Sequence, residues 1–360
     1  MLTAAGCRSR RERFLERIRP TQPLLLGDPL HLRYLANFHS DPFSLGGDFG
    51  GLLLLHPDGC CKLFHDNRLF VPAARQAHAD SVEILPWYDG QSPGRGPRRL
   101  LLRDVVRNHG GHIHDALNDP QCQPIIEVLA DMRRAKDDDE IAILRRCMRA
   151  TDAGHAWARA HVQPGMTELD VYNGIARACT AAAGQAVIVY GDFIVSDGPD
   201  RRVGPATDRV LNRGDTLILD FSVVLWGYRS DFTNTLVIGG LATAEQERLM
   251  DWCQQALAAG ERELRAGNAC QMVYGGVVGS FERNGVANLF PHHAGHGLGL
   301  THPEAPYFTK GAHETLVAGD VVTLEPGLYI PGTCGMRIER NYLITDSGFE
   351  CLSGHQIGLT

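Results

Sequence analysis

The strongest constraint in this chain is a set of acidic residues standing where strand patterning calls for apolar ones. Asp220 closes the apolar run TLILD, and Asp231 follows eleven residues later in SDFTNTLVI. A turn at Trp226 and Gly227 makes these two strands a hairpin. It sets Asp231 opposite Ser222, on the sheet face that carries Asp220. Diagonal neighbours on one face lie about 7–8 Å apart at Cα, within reach of a shared ligand. Taken alone, this hairpin reads equally well as one half-buried and one solvent-side aspartate. A second hairpin repeats the pattern. Glu325 interrupts DVVTLEPGLYI and Glu339 lies in MRIERNYLI, and a loop from Ile330 to Cys334 places the two opposite each other. Four carboxylates gathered inside a sheet repel one another and lose hydration, so they must be protonated, turned outward or bound to cations. Two divalent cations would neutralise them.

Four histidines crowd the segment HHAGHGLGLTHPEAPYF, namely His292, His293, His296 and His302. Glycines at 295, 297 and 299 let backbone approach a site closely, and a neutral imidazole nitrogen there can bind a metal. Of the neighbours, His293 reads as a bystander and Glu304 as a loop residue. Trp226 and Tyr228 read as an exposed aromatic tip or a dimer contact.

The rest of the chain supplies an ordinary α+β frame. Residues 23–66 alternate short apolar runs with Gly, Pro and Asp, as a first α/β unit does. DGQSPGRGP (Asp89 to Pro97) reads as an exposed loop, and RRAKDDD (Arg133 to Asp139) as the connector between two domains, residues 1–135 and 136–360. An amphipathic helix follows, with Ile141, Leu144 and Met148 on one face. Thr167 and Thr243 then begin capped helices that run to Gly184 and to about Leu264. β-rich stretches cover Ala186–Val195, Asp215–Ile238, Asp320–Tyr329 and Met336–Ile344, so helices should pack on a mostly antiparallel sheet.

Charge and composition bound the function. A formal net charge of -7 argues against nucleic acid or an anionic membrane as the main partner and points to small molecules or peptides. Apolar runs such as Gly51–Leu55 fall far short of the roughly 18 residues a membrane helix needs. The Arg-rich start lacks an apolar segment and carries Glu12 and Glu16, which suits a solvated helix better than a targeting peptide. Ten cysteines without a CxxC pair suit reduced thiols, and hence a cytoplasmic protein.

DFSVVLWGYRSDFTNT, GHGLGL, TLEPGLY and GMRIE together resemble the metal-binding segments of the creatinase, aminopeptidase P and prolidase family, the pita-bread fold. The resemblance covers residues 136–360. DPLHLRYLANFHS extends a weaker likeness to the family's smaller N-terminal α/β domain. It implies Asp220, Asp231, His296, Glu325 and Glu339 as ligands of two divalent ions, with Asp231 and Glu339 shared. Manganese is the first candidate, and iron, cobalt and zinc suit the same oxygen-rich donors. It further implies cleavage of the bond before proline by a metal-bridging hydroxide, Glu325 as proton shuttle as well as ligand, and a homodimer. His292 matches a histidine that contacts substrate. Thr233 and Arg337 match groups that orient carboxylates, although a sheet threonine and a solvated arginine are equally good readings.

Two positions depart from the family pattern, and both concern substrate. In RVGPATDRVL, Val203 stands where peptidases of the family carry a histidine. A second histidine is expected seven residues after His296, where Pro303 stands; His302 comes one position early, and a one-residue shift in extended chain turns a side chain to the other face. A hydrolase or lyase of a small non-peptide carbon–nitrogen compound on the same metals therefore stays open, as does, less favourably, a binding module without catalysis.

Overall fold

The computed structural model describes residues 1–43, 50–69, 77–87 and 100–360. The expected loop from Asp89 to Pro97 lies outside the described residues. The chain divides into two compact units, Met1–Arg133 with Asp137–Glu140, and Arg134–Lys136 with Ile141–Thr360.

The first unit holds α1 (Ala4–Ile18), α2 (Pro29–Ala36), α3 (Leu100–Asn108) and α4 (Gln123–Met132). Its sheet runs β1 (Leu24–Leu26), β2 (Leu52–Leu55), β3 (Cys61–Asp66), β4 (Ser81–Leu85), with only the last pair parallel. Asp28 caps α2 by accepting from the Leu30 N–H, and Pro29 supplies the fixed φ of a first helical position. The first helix differs from the solvated helix expected. It buries Cys7, Arg10, Arg11 and Phe14. Arg10 is accommodated because its guanidinium donates to the Tyr34 carbonyl and to Asp137 and Asp139 at 2.8–2.9 Å.

The second unit is α+β. Helix α5 (Asp138–His161) buries Leu144, Cys147 and Met148. Helix α6 (Glu168–Ala183) starts on a capping box between Thr167 and Asp170 and stops at Gly184, which takes the left-handed conformation. Helix α7 (Ala244–Glu261) starts on the capping box of Thr243 and Gln246. Helix α8 (Cys270–Arg283) carries no clear sequence signal, because Ala269 offers no capping side chain and glycines dilute its pattern. α7 and α8 bury Leu249, Cys253, Val273, Val277 and Phe281 in one core with Val322, Leu324, Leu328, Met336 and Tyr342 of the sheets.

Strand β5 (Ile188–Val195) pairs with β6 (Thr216–Leu225), which turns through Trp226 and Gly227 into β7 (Tyr228–Arg229) and pairs with β8 (Phe232–Val237). Both turn residues have positive φ (51° and 86°), the condition for a tight two-residue hairpin. Tyr228 is fully buried, which corrects the exposed aromatic tip. Trp226 packs under the Arg146 guanidinium. A five-stranded sheet orders β10 (Glu304–Phe308), β9 (Gly295–Gly297), β11 (Val321–Leu324), β14 (Arg340–Ile344) and β15 (Phe349–Cys351). Beside it, β12 (Gly327–Ile330) pairs with β13 (Cys334–Arg337). The stretch Asp320–Tyr329, expected as one strand, breaks at Glu325 and Pro326. A single register nevertheless links Val321↔Leu343 through Ile330↔Cys334, so Glu325 and Glu339 face each other at the break.

Candidate metal centre

Asp220, Asp231, Glu325 and the four histidines of the 292–302 segment line one cavity of about 370 Å³ in the second unit, and Glu339 lies beside it against Asp220 and Asp231. The first hairpin brings Asp220 and Asp231; Ser222 Oγ donates to Asp231 Oδ1 at 3.3 Å, as their opposed register requires. Each of Asp220, Asp231 and Glu339 places a carboxylate oxygen within 4.8 Å of the others, and Asp231, His296 and His302 do the same with one donor atom each. The two hairpins are joined directly, since the Glu339 N–H donates to the Thr233 carbonyl and Thr233 Oγ1 donates to Glu339 Oε2 at 2.7 Å. Asn341 was missed in the sequence. It accepts from the Asp231 N–H and donates back to the Asp231 carbonyl, fixing that residue's backbone.

Gly295 and Gly297 carry His296 against this cluster. A Cβ at either position would meet a carbonyl oxygen at 2.2 Å, that of Thr323 or of Ala305, so only glycine allows the approach. His296 Nδ1 donates to the Gly297 carbonyl at 2.9 Å, which leaves Nε2 unprotonated and 3.6 Å from both Asp231 Oδ2 and Glu325 Oε1. That is the tautomer a metal requires.

His302 does reach the site. Its Nε2 lies 2.6 Å from Asp231 Oδ2, although it sits one residue earlier than the pattern suggested. The bend that allows this is held by Glu304, which is buried in β10 and not a free loop residue. Glu304 accepts from Thr301 Oγ1 through Oε2 and from Lys136 through Oε1, each at 2.8 Å. His293, expected to be a bystander, lines the cavity with Nδ1 3.3 Å from Glu325 Oε1. His292 donates from Nδ1 to the His293 carbonyl, so its Nε2 accepts from the Tyr329 hydroxyl at 3.3 Å. Arg337 is 3% exposed, the opposite of a solvated arginine. It reaches Asp220 at 2.7 Å and Tyr329 at 3.1 Å. Val203 and Pro303 also line the cavity, with Val203 62% exposed at its wall.

Electrostatics show how poorly this cluster tolerates its own charge. Burial, followed by repulsion from Asp231 and against the pull of Arg337, moves the Asp220 carboxyl up to about 7. Burial and then the neighbouring carboxylates drive Glu339 well above the usual range, and burial raises Glu325. Asp231 runs the other way. The hydrogen bond and charge of His302, with His296, outweigh its burial and hold it low. Burial lowers His292 to about 3 and keeps it neutral. Glu339 Oε1 is buried without a hydrogen-bond partner among the described residues. An orphaned buried carboxylate oxygen beside Asp220 and Asp231, in a cluster that also holds Glu325 and a bare imidazole nitrogen, fits a divalent cation and little else.

Fold and site together define a metallohydrolase of the pita-bread type. Residues 142–346 match metallopeptidase family M24, and the chain belongs to that family. A probable dipeptidase, PepE, of Mycobacterium tuberculosis is 32% identical over 298 residues, covering 78% of this chain and 77% of the relative. Among solved structures, dipeptidase PepE from Mycobacterium ulcerans is 26% identical with a TM-score of 0.77, covering 99% of this chain and 98% of that one. An Xaa-Pro dipeptidase from Bacillus anthracis shares the fold at a TM-score of 0.79 and 24% identity, covering 99% of each chain. Among the described residues, no helix is long and apolar enough to cross a membrane.

Proposed function

We propose that this chain hydrolyses the bond before proline in dipeptides or short peptides, with Asp220, Asp231, His296, Glu325 and Glu339 holding two divalent cations. The observation that carries the reading is the donor set itself: Asp220, Asp231, Glu325 and Glu339 gather with a bare His296 Nε2, and Glu339 Oε1 has no hydrogen-bond partner among the described residues. Divalent cations there would neutralise the carboxylates, polarise a carbonyl oxygen and acidify a water enough for attack near neutral pH. Manganese is the ion we assign first, and iron, cobalt and zinc suit the same donors.

The chain's own groups divide the remaining work. Glu325, whose proton affinity burial raises, would take a proton from the attacking water and return it to the departing amine. His292, neutral and oriented by Tyr329, offers a hydrogen-bonding edge to substrate without adding charge. His302 steadies Asp231. Arg337 sits between the carboxylates and Tyr329. A cytoplasmic homodimer belongs to the same reading and rests on the sequence resemblance and the cysteine pattern.

Val203 supports a second reading. A valine at the cavity wall, where the family pattern calls for a histidine, offers substrate no hydrogen bond, which suits a small non-peptide carbon–nitrogen substrate. Turnover of an Xaa-Pro dipeptide panel by manganese-loaded protein, with metal counted on the same sample, separates the two. Hydrolysis establishes the peptidase; two bound metals without hydrolysis favour the non-peptide substrate.

A further inference from the structure

Asp192 was not singled out in the sequence, yet it stands directly opposite Asp220 in the register of β5 and β6. Gly191 before it has φ 143°, and a Cβ there would meet the Asp220 carbonyl oxygen at 2.2 Å, so the two strands press together at this point. Asp192 uses its two oxygens for two tasks. Oδ2 accepts from Arg337 Nη2 at 2.5 Å, and Oδ1 accepts from the Gly204 N–H at 2.8 Å.

Each task leads into the cavity. The same Arg337 Nη2 lies 2.7 Å from Asp220 Oδ2. Nη1 donates to the Tyr329 hydroxyl at 3.1 Å and to the Arg202 carbonyl at 3.3 Å, and the Tyr329 hydroxyl is 3.3 Å from His292 Nε2. A planar guanidinium presents its donors in a fixed fork, so gripping one arm orients the others. Gly204 follows Arg202 and Val203, both of which line the cavity. One carboxylate therefore aims the arginine and anchors the wall beside it.

We propose that Asp192 is a positioning residue for the hydrolytic reaction, holding Arg337 against Asp220 and Tyr329 while fixing the Arg202–Gly204 wall of the substrate cavity. The inference rests on the peptidase reading for its kinetic part only. Asp192 also shares the arginine's positive charge with Asp220. Without it that charge falls on Asp220 alone and competes with a cation bound there.

Asp192→Asn separates the two tasks, because the amide oxygen still accepts from Gly204 while the negative charge facing Arg337 is gone. The expected result is a fall in kcat of about 10-fold or more with KM within about threefold, the range seen when partners of site groups are removed. Manganese affinity, titrated on the metal-free protein, falls several-fold. Asp192→Ala frees the wall as well and raises KM in addition. In an Arg337→Met background, Asp192→Asn changes neither kcat nor manganese affinity. Arg337→Lys keeps the charge, but its single nitrogen cannot serve the two carboxylates and the Tyr329 hydroxyl together, and it loses kcat while remaining folded by circular dichroism. Wild-type kcat and manganese affinity in Asp192→Asn, or equal losses in the Arg337→Met background, would overturn the proposal. Absence of Xaa-Pro turnover by the wild type would instead remove the peptidase reading, and the manganese titrations would still judge Asp192.

Discussion

Lys136 Nζ lies 2.8 Å from Glu304 Oε1, with side chains only 1% and 9% exposed, in a chain that contains three lysines. The pair closes the bend that carries His302 to Asp231, because the other oxygen of Glu304 holds Thr301. A buried charge left without its partner costs about 3–5 kcal/mol. Lys136→Met should therefore destabilise the protein by about 3 kcal/mol in urea denaturation, and adding Glu304→Gln should recover part of the loss. Equal stability of wild type and Lys136→Met would show that the pair does not hold the bend.

Removing Asp231 or Glu339, the two ligands proposed to be shared, should remove metal and activity together. Asp231→Ala or Glu339→Ala is expected to bind fewer ions than the wild type by elemental analysis of dialysed protein, with turnover reduced to background. Two ions per chain in either variant would refute the ligand assignment.

His302→Ala tests the displaced histidine. Its Nε2 holds Asp231 Oδ2 at 2.6 Å, so its loss should lower kcat by about 10–100-fold while leaving metal content unchanged. Full activity in steady-state assays would place His302 outside the reaction.

Acid stability should depend on Glu168. This buried carboxylate accepts from the N–H groups of Val195 and Thr207, from Thr207 Oγ1 and from Arg201, all at 2.7–3.0 Å. Burial alone would raise its pKa, and the hydrogen bonds of Arg201 and Thr207 outweigh that, holding it below the ordinary glutamate value. A depressed folded-state pKa stabilises above the unfolded-state value of about 4.3 and ceases to do so as pH falls through the folded-state value. Glu168→Gln should thus cost about 2 kcal/mol near pH 7, and the gap between thermal melts of wild type and variant should narrow steadily as pH falls below about 4.3 toward the folded-state value. A gap independent of pH would mean that the charge of Glu168 contributes nothing.

Much of the fold was legible because the signals were local. Turn chemistry at Trp226–Gly227 set Asp231 opposite Ser222, and the spacing from Ile330 to Cys334 set Glu325 opposite Glu339. Thr167 and Thr243 announced α6 and α7 through their capping boxes, whereas α8 carried no such marker. Asp192 interrupts the apolar run VIVYGDFIV just as Asp220 interrupts TLILD, and that signal could have found it.

By itself the sequence determined the secondary structure around the site, the registers of its hairpins and the residue types able to hold cations, because periodicity, turns and caps act within a few residues. Only the tertiary structure decided that Tyr228 and Arg10 are buried, that His293 faces Glu325 and that His302 arrives one residue early. It also decided that Arg337 is shared by Asp192 and Asp220. Each of these depends on segments far apart in the chain meeting in a desolvated interior, where charge and hydrogen-bond partners must be matched in space, and nothing in the local pattern records that matching.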